Sequence, residues 1–101
     1  ANVNQARRSG TTPAFIAAQN GNVEALRLLV ENGADVNQAA QGGATPAFIA
    51  AQNGHLEVLR LIVGKGADVT QGLEDGVTPA YVAAENGHLE VLELLVEKGA
   101  N

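Results

Sequence analysis

The chain has 101 residues, of which 46% are hydrophobic and 17% charged, values ordinary for one folded domain. It contains no cysteine, which excludes disulfides, zinc–thiolate sites and thiol catalysis. The net charge is −5 and no basic stripe is present, so nucleic acid is not an expected partner, because its phosphate backbone would repel an acidic chain.

Membrane and secretion signals are not apparent. No apolar stretch approaches the roughly 20 residues that a membrane-spanning helix needs, and the opening letters, ANVN, have no signal-peptide character. We therefore expect no membrane association. The absence of cysteine and of a signal peptide favours the cytoplasm or another reducing compartment.

The strongest feature of the sequence is an internal repeat with a period of 33 residues. The recurring positions are Thr12-Pro13, Thr45-Pro46 and Thr78-Pro79, then Gly21, Gly54 and Gly87, then Gly33, Gly66 and Gly99. This period predicts one repeat domain over residues 1–101, with units at about 1–33, 34–66 and 67–99 and the truncated start of a further unit at 100–101. A chain that starts and stops inside a repeat is expected of a natural fragment and equally of an engineered array.

The first predicted element of each unit is a short helix that begins after the Thr-Pro pair. In the first unit, Thr12 is placed to cap the helix with its hydroxyl, and Pro13 suits the first helical position because its missing N–H costs nothing there. The helix continues through Asn20, and Gly21 ends it with a positive φ angle. Its alanines permit close approach of a neighbouring helix.

The second predicted element is a helix with one apolar stripe. In the first unit the stripe comprises Val23, Leu26, Leu29 and Val30. Asn32-Gly33 closes the helix, and an extended stretch leads to the next unit. Helices this short are marginal alone, so each unit is expected to bury its apolar faces against its neighbours.

Charged side chains occupy the exposed side of the second helices. Glu24 and Arg27 are spaced to pair, and the same spacing recurs at Glu57 and Arg60. In the third unit Glu93 replaces the arginine. The first unit carries three arginines and two glutamates, the second two residues of each sign, and residues 67–101 seven acids and one lysine. The charge therefore runs from weakly basic to strongly acidic along the chain.

The motifs of the middle unit resemble a known consensus. It reads T-P-A-F-I-A-A at residues 45–51, G-H-L at 54–56 and G-A-D-V at 66–69. In order and spacing these resemble the ankyrin repeat, whose consensus contains T-P-L-H-x-A-A, G-H, L-L and G-A-D-V-N. The resemblance covers essentially the whole chain. It implies an all-α repeat solenoid of stacked helix-turn-helix units with hairpin-like loops.

The sequence departs from this consensus at three places in every unit. The consensus Leu is replaced by Ala14, Ala47 and Ala80, the consensus His by Phe15, Phe48 and Tyr81, and the hairpin Asp by Arg7, Ala40 and Leu73. In the family that histidine hydrogen-bonds to backbone around the hairpin, so this tie is lost or replaced here. A smaller residue followed by a larger apolar one indicates compensated packing.

The resemblance also implies a binding surface, formed by the hairpin tips and the exposed side of the first helices. The tip positions are Arg8, Ser9 and Thr11, then Gln41, Gly42 and Ala44, then Glu74, Asp75 and Val77. The helix positions are Gln19, Asn20, Gln52, Asn53, Glu85 and Asn86. We expect a protein or peptide partner with basic groups facing the acidic last unit. Variation among the tips fits variable contacts on a fixed scaffold, and neutral drift predicts it equally.

Two histidines and an acidic cluster invite a metal-site interpretation. His55 and His88 are one unit apart, or roughly 10 Å in stacked helices, which is too far to share a metal. Both occupy the G-H position of the resemblance, where the histidine is structural. Glu90, Glu93 and Glu97 lack the loop geometry of calcium sites and indicate a solvated surface. No metal, cofactor or catalytic site is predicted, so the chain is not expected to be an enzyme.

Both ends of the array keep apolar residues where terminal units normally carry polar replacements. These residues are Phe15, Ile16, Leu26 and Leu29 at the start, and Tyr81, Val82, Leu92 and Leu95 at the end. We expect the isolated chain to be marginally stable or to self-associate end to end. An alternative function is therefore a structural spacer or self-stacking segment without a specific ligand, or an engineered scaffold.

Overall fold

Six short α-helices, two in each unit, make up the part of the chain that the structure describes. The computed structural model describes residues 3–99, and no strand is present within that range. The helices are α1 (Pro13–Asn20), α2 (Val23–Glu31), α3 (Pro46–Asn53), α4 (Leu56–Val63), α5 (Pro79–Glu85) and α6 (Leu89–Glu97), and one turn of 3₁₀ helix spans Gln41–Gly43. The predicted all-α repeat architecture is confirmed. None of the helices in residues 3–99 combines the length and hydrophobicity required to cross a bilayer.

The predicted caps of the first helices are present in all three units. The threonine Oγ1 atom accepts a hydrogen bond from the backbone N–H three residues later in each case. These bonds join Thr12 to Phe15 at 3.1 Å, Thr45 to Phe48 at 3.1 Å and Thr78 to Tyr81 at 3.2 Å. The glycine that follows α1, Gly21, has φ 70°, as its C-terminal position requires.

The first helices form the more tightly packed row of the array. Contacts of α3 with α1 and α5 are more extensive than those of α4 with α2 and α6. Alanines permit this close approach, since Ala14, Ala18 and Ala47 are completely buried between the helices. The first helices therefore form the closer-packed of the two rows.

The apolar residues of the second helices face two different neighbours. Leu26 and Leu59 are fully buried, whereas Leu92, at the same position of the last described unit, is only half-buried. Conversely, Ile62 is fully buried, whereas its counterpart Leu29 in the first unit is half-buried. The position of Leu26, Leu59 and Leu92 is therefore covered by the following unit. The position of Leu29 and Ile62 is covered by the preceding unit.

Asparagine side chains bridge successive units at the loops. The Asn37 amide donates to the Gly66 carbonyl at 3.1 Å, and its Oδ1 atom accepts from the Asp68 N–H at 2.7 Å. Asn4 makes the equivalent bonds, at 3.3 Å to the Gly33 carbonyl and 2.7 Å from the Asp35 N–H. Each bridge satisfies backbone groups that follow the second helix of the unit, α2 for Asn4 and α4 for Asn37.

Only one of the two predicted helix-surface ion pairs forms. The Arg60 guanidinium lies 3.0 Å from the Glu57 carboxylate, and it is the one ion pair of residues 3–99 within contact distance. Glu24 and Arg27 have the same spacing but do not pair. Both sites are exposed, where such a pair gains little free energy and costs side-chain freedom, so its formation is not dictated by spacing alone.

Candidate functional site

The three hairpin tips are joined to one another through their backbones. The Gln41 N–H donates to the Ser9 carbonyl at 2.8 Å, and the Glu74 N–H donates to the Gly42 carbonyl at 2.9 Å. Because the two bonds repeat at the same register, the tips form one continuous edge along the array. We call residues 8–11, 41–44 and 74–77 the tip edge.

Each tip closes without the hairpin aspartate of the consensus. The residue in its place forms a backbone bond across the turn in every unit. These bonds run from the Arg7 N–H to the Thr11 carbonyl at 3.0 Å, from Ala40 to Ala44 at 2.7 Å and from Leu73 to Val77 at 2.8 Å. In the third tip the Asp75 carboxylate also accepts from the Val77 N–H at 3.1 Å. The hairpin geometry therefore depends on backbone bonds and on the glycine within each turn.

Most predicted tip residues are presented to solvent. The exposed ones are Arg8, Ser9, Gln41, Gly42, Glu74 and Asp75, and the half-buried ones are Thr11, Ala44 and Val77. In the first tip the Ser9 and Thr11 hydroxyls lie 3.0 Å apart, so one donates to the other. The tip edge therefore exposes mainly polar residues, and Thr11, Ala44 and Val77 are half-buried beside them.

The predicted helix positions are also exposed but are of two kinds. Asn53 and Asn86 donate their amides to the Gln19 and Gln52 carbonyls, both at 3.1 Å. These two side chains tie successive units together. By contrast, the side chains of Gln19, Gln52 and Glu85 form no hydrogen bond within residues 3–99, and all three are exposed on the row of first helices. Sequence reasoning did not distinguish the two kinds.

A protein-family model described as ankyrin repeats, in three copies, matches residues 1–72 and 42–101, and the two matches together cover the chain. The chain belongs to the ankyrin repeat family. Ankyrin repeats are generally protein–protein interaction modules and are typically not enzymes. A comparison with curated proteins finds no significant match.

Histidine–glycine contacts link the ankyrin units. The Nε2 atoms of His55 and His88 lie 3.0 and 3.1 Å from the Gln19 and Gln52 carbonyls, and since a carbonyl only accepts, Nε2 carries the hydrogen. The His55 ring packs against Gly21 so closely that a Cβ atom there would lie 2.7 Å from it. Each imidazole is thus held between units, which is the structural role predicted for it.

The first unit replaces this histidine with Asn22. Its carboxamide oxygen accepts from the Ala25 N–H at 3.1 Å and so caps α2, whereas His55 and His88 make no such cap. The asparagine therefore satisfies a free backbone N–H of its own helix. The replacement of histidine by Asn22 is visible in the sequence, but its capping role depends on the orientation of the side chain, which only the structure shows.

The acidic cluster of the third unit faces an arginine of the second. Glu90, Glu93 and Glu97 line a shallow groove with Arg60. Glu93 replaces the arginine of the earlier units and lines the same groove as Arg60 of the preceding unit. This proximity arises from the stacking of two units, so the spacing of residues within one helix does not reveal it. No group of three or more metal-ligating side chains in residues 3–99 is arranged to hold a metal ion.

Apolar packing takes the place of the consensus histidine inside the first helices. Phe15 and Phe48 are buried, next to the fully buried Ala14 and Ala47, as the compensated volumes predict. Tyr81, at the same position in the third unit, is 59% exposed because no described unit follows it. Within residues 3–99 no buried side-chain polar atom lacks a hydrogen-bond partner, so the exchange leaves no buried side-chain group unsatisfied.

One carboxylate has a perturbed acidity, and it lies outside the tip edge. Asp68 accepts a bond of 2.6 Å from the Thr70 hydroxyl and one of 2.9 Å from the Thr70 N–H. These bonds favour the charged form and hold the pKa of Asp68 below its ordinary value of 3.8. The turn at this loop is therefore stabilised by an ionised carboxylate.

Proposed function

We propose that this chain binds a polypeptide partner along the tip edge and the exposed side chains of the first helices. The observation that carries the proposal is the backbone ladder between tips, which turns three separate loops into one continuous, exposed polar surface. A ladder of this kind keeps the spacing between contact residues fixed. A partner then binds without the entropic cost of ordering three loops, and this cost would otherwise reduce the affinity.

The charge along this surface favours a basic segment at the third unit. Glu74, Asp75 and Glu85 are all exposed, whereas Arg8 lies at the opposite end of the same edge. Complementary charge raises the association rate and fixes the orientation of the partner. The edge carries no large aromatic side chain of the kind that dominates many interfaces, so we expect moderate affinity.

The test begins with the selection of peptides from a random library against the whole chain. We expect the selected peptides to be enriched in lysine and arginine and to bind more weakly as the salt concentration rises, because salt screens exposed charges. Binding is measured by fluorescence anisotropy of labelled peptides. In the double variant Glu74→Lys with Asp75→Lys, we expect binding to be lost.

A matched control separates the tip edge from overall charge. The double variant Glu93→Lys with Glu97→Lys makes the same change in net charge on exposed positions of α6, away from the tips. We expect it to retain binding. An affinity independent of salt, or one unaffected by the substitutions at Glu74 and Asp75, would contradict the proposal.

A further inference from the structure

The largest exposed apolar side chains all lie on the two outward faces of the array. Their exposed fractions are 62% for Leu28, 59% for Tyr81, 66% for Leu89 and 59% for Val96. At the equivalent positions of the middle unit, Leu61, Phe48, Leu56 and Val63 are all buried or half-buried. We call the outward side of the first unit the head face and that of the third unit the tail face.

The head face contains an open groove. It has a volume of about 430 Å³ and is lined by apolar side chains that include Pro13, Ile16, Ala25 and Leu29. The corresponding residues of the second unit, Pro46, Ile49, Val58 and Ile62, are buried against the first. The groove therefore corresponds to the surface that the second unit packs against the first.

The tail face corresponds to the surface that the second unit packs against the third. Leu59 of the middle unit is completely buried by the unit that follows, whereas its counterpart Leu92 is half-buried. Tyr81, Leu89 and Val96 complete this apolar surface. The two open faces are thus copies of the two surfaces that already pack together twice within the chain, and a shape that fits internally fits between copies.

Unpaired polar groups continue the same correspondence. In residues 3–99 the Arg8 N–H and the Asp75 carbonyl have no protein partner, whereas the equivalent groups bond each other between the internal tips. Likewise the Asn20 amide is unbonded on the head face, whereas Asn53 and Asn86 each donate to a carbonyl of the preceding unit. The carbonyl of Glu85 is the matching acceptor on the tail face. Both faces therefore carry matching donors and acceptors.

The charges at this contact are of both kinds. Continuing the period of 33 residues places Arg8 of one copy beside Glu74 of another and Arg27 beside Glu93, but it also places Glu24 beside Glu90 and Glu31 beside Glu97. The first unit has three arginines against two glutamates and residues 67–101 seven acids against one lysine, so charge opposes a tail-to-tail contact more than a head-to-tail one. From these observations we infer that the 101-residue chain associates head to tail with a second copy of itself.

The association is weaker than the internal interfaces. The Gly87 turn of the tail face is open, as Gly21 and Gly54 would be without their histidines, but the head face offers Asn22, which caps its own helix. One of the repeated contacts is consequently missing. Head-to-tail contacts do not close on themselves, so the assembly grows with concentration rather than stopping at a dimer.

Two charged substitutions on opposite faces test the inference. Leu28→Glu changes the head face and Tyr81→Glu the tail face, and since both residues are about three-fifths exposed, both variants should fold. Sedimentation velocity over a wide concentration range measures the weight-average mass. We expect the unchanged chain to grow in mass with concentration and each variant alone to remain a monomer. The variant Lys65→Gln makes the same change in net charge at an exposed position of the middle unit, so it is the control and should associate normally.

Mixing the two variants is the decisive step. The Leu28→Glu chain retains its tail face and the Tyr81→Glu chain retains its head face, so the mixture can form one contact and no more. We expect a one-to-one dimer. Circular dichroism of each variant establishes that it is folded. A monomer at every concentration of the unchanged chain would overturn the inference, and so would self-association of either variant alone or a mixture that stays monomeric.

Discussion

The middle unit and the third unit share the same repeat motifs but bury equivalent residues to different extents. Phe48 and Leu59 are 4% and 0% exposed, whereas their counterparts in the third unit, Tyr81 and Leu92, are 59% exposed and half-buried. The difference is that the middle unit has a described neighbour on each side. Burial in this fold is therefore set by position in the array as much as by residue type.

The glycines of the hairpins show the same contrast. Gly43 and Gly76 have φ angles of 94° and 92°, so both require the left-handed conformation. A Cβ atom at Gly43 would lie 2.9 Å from the Glu74 backbone nitrogen, whereas one at Gly76 would meet nothing within 4 Å. The middle glycine serves both the turn and the close approach of the next hairpin, and the last serves only the turn.

Truncation of the core leucines should give the largest effect. Leu59→Ala removes a fully buried side chain, for which we expect a loss of about 2–5 kcal/mol in the free energy of unfolding. Leu92→Ala at the half-buried equivalent position should cost clearly less. Urea denaturation followed by circular dichroism, on dilute samples, measures both. Equal costs would show that the following unit does not stabilise its neighbour as its packing indicates.

Alanine in the hairpins should produce the next largest difference. Gly76→Ala forces a residue with a Cβ atom into the left-handed region, at a cost of roughly 1–2 kcal/mol. Gly43→Ala meets the same strain and in addition displaces the Glu74 backbone, so it should destabilise the chain more. Thermal unfolding of the pair distinguishes the two contributions. If Gly76→Ala were the more harmful, the close contact between hairpins would be refuted.

The smallest expected effect concerns Asp68, whose turn also precedes the final hairpin. Because its pKa in the folded chain is lowered, its stabilising contribution is complete above the unfolded-state pKa and is lost as the pH falls through the folded-state value. Thr70→Val removes the hydroxyl bond and keeps the backbone N–H bond. NMR titration of the Asp68 carboxyl should then give a pKa closer to 3.8. An unchanged pKa would show that the hydroxyl does not stabilise the carboxylate.

Local signals made most of the fold predictable from the sequence. The bounds of α1 follow from Thr12, Pro13 and Gly21, since a cap, a first-turn proline and a left-handed glycine act within the segment that carries them. Repetition at a fixed period then extends the same prediction to α3 and α5. Family membership followed from the same motifs and is confirmed by the match over the whole chain.

Contacts between units could not be predicted in the same way. The amides of Asn53 and Asn86 were predicted to face a partner, yet they donate to carbonyls of the preceding unit. The pattern of residues within one helix does not show how that helix is aligned with the helix of the next unit. Similarly, Glu93 lines a groove with Arg60, which belongs to the preceding unit. The partner-binding roles of the tip-edge residues remain predictions, because an exposed residue is available for contact whether or not a partner uses it.

Amide hydrogen exchange on dilute protein is the most direct test of the claim that each unit is stabilised by its neighbours. The slowest-exchanging amides should lie in α3 and α4, with faster exchange in both flanking pairs of helices, because only the middle unit is covered on two sides within residues 3–99. Slowest exchange in a terminal unit, or one uniform rate across all six helices, would contradict this claim.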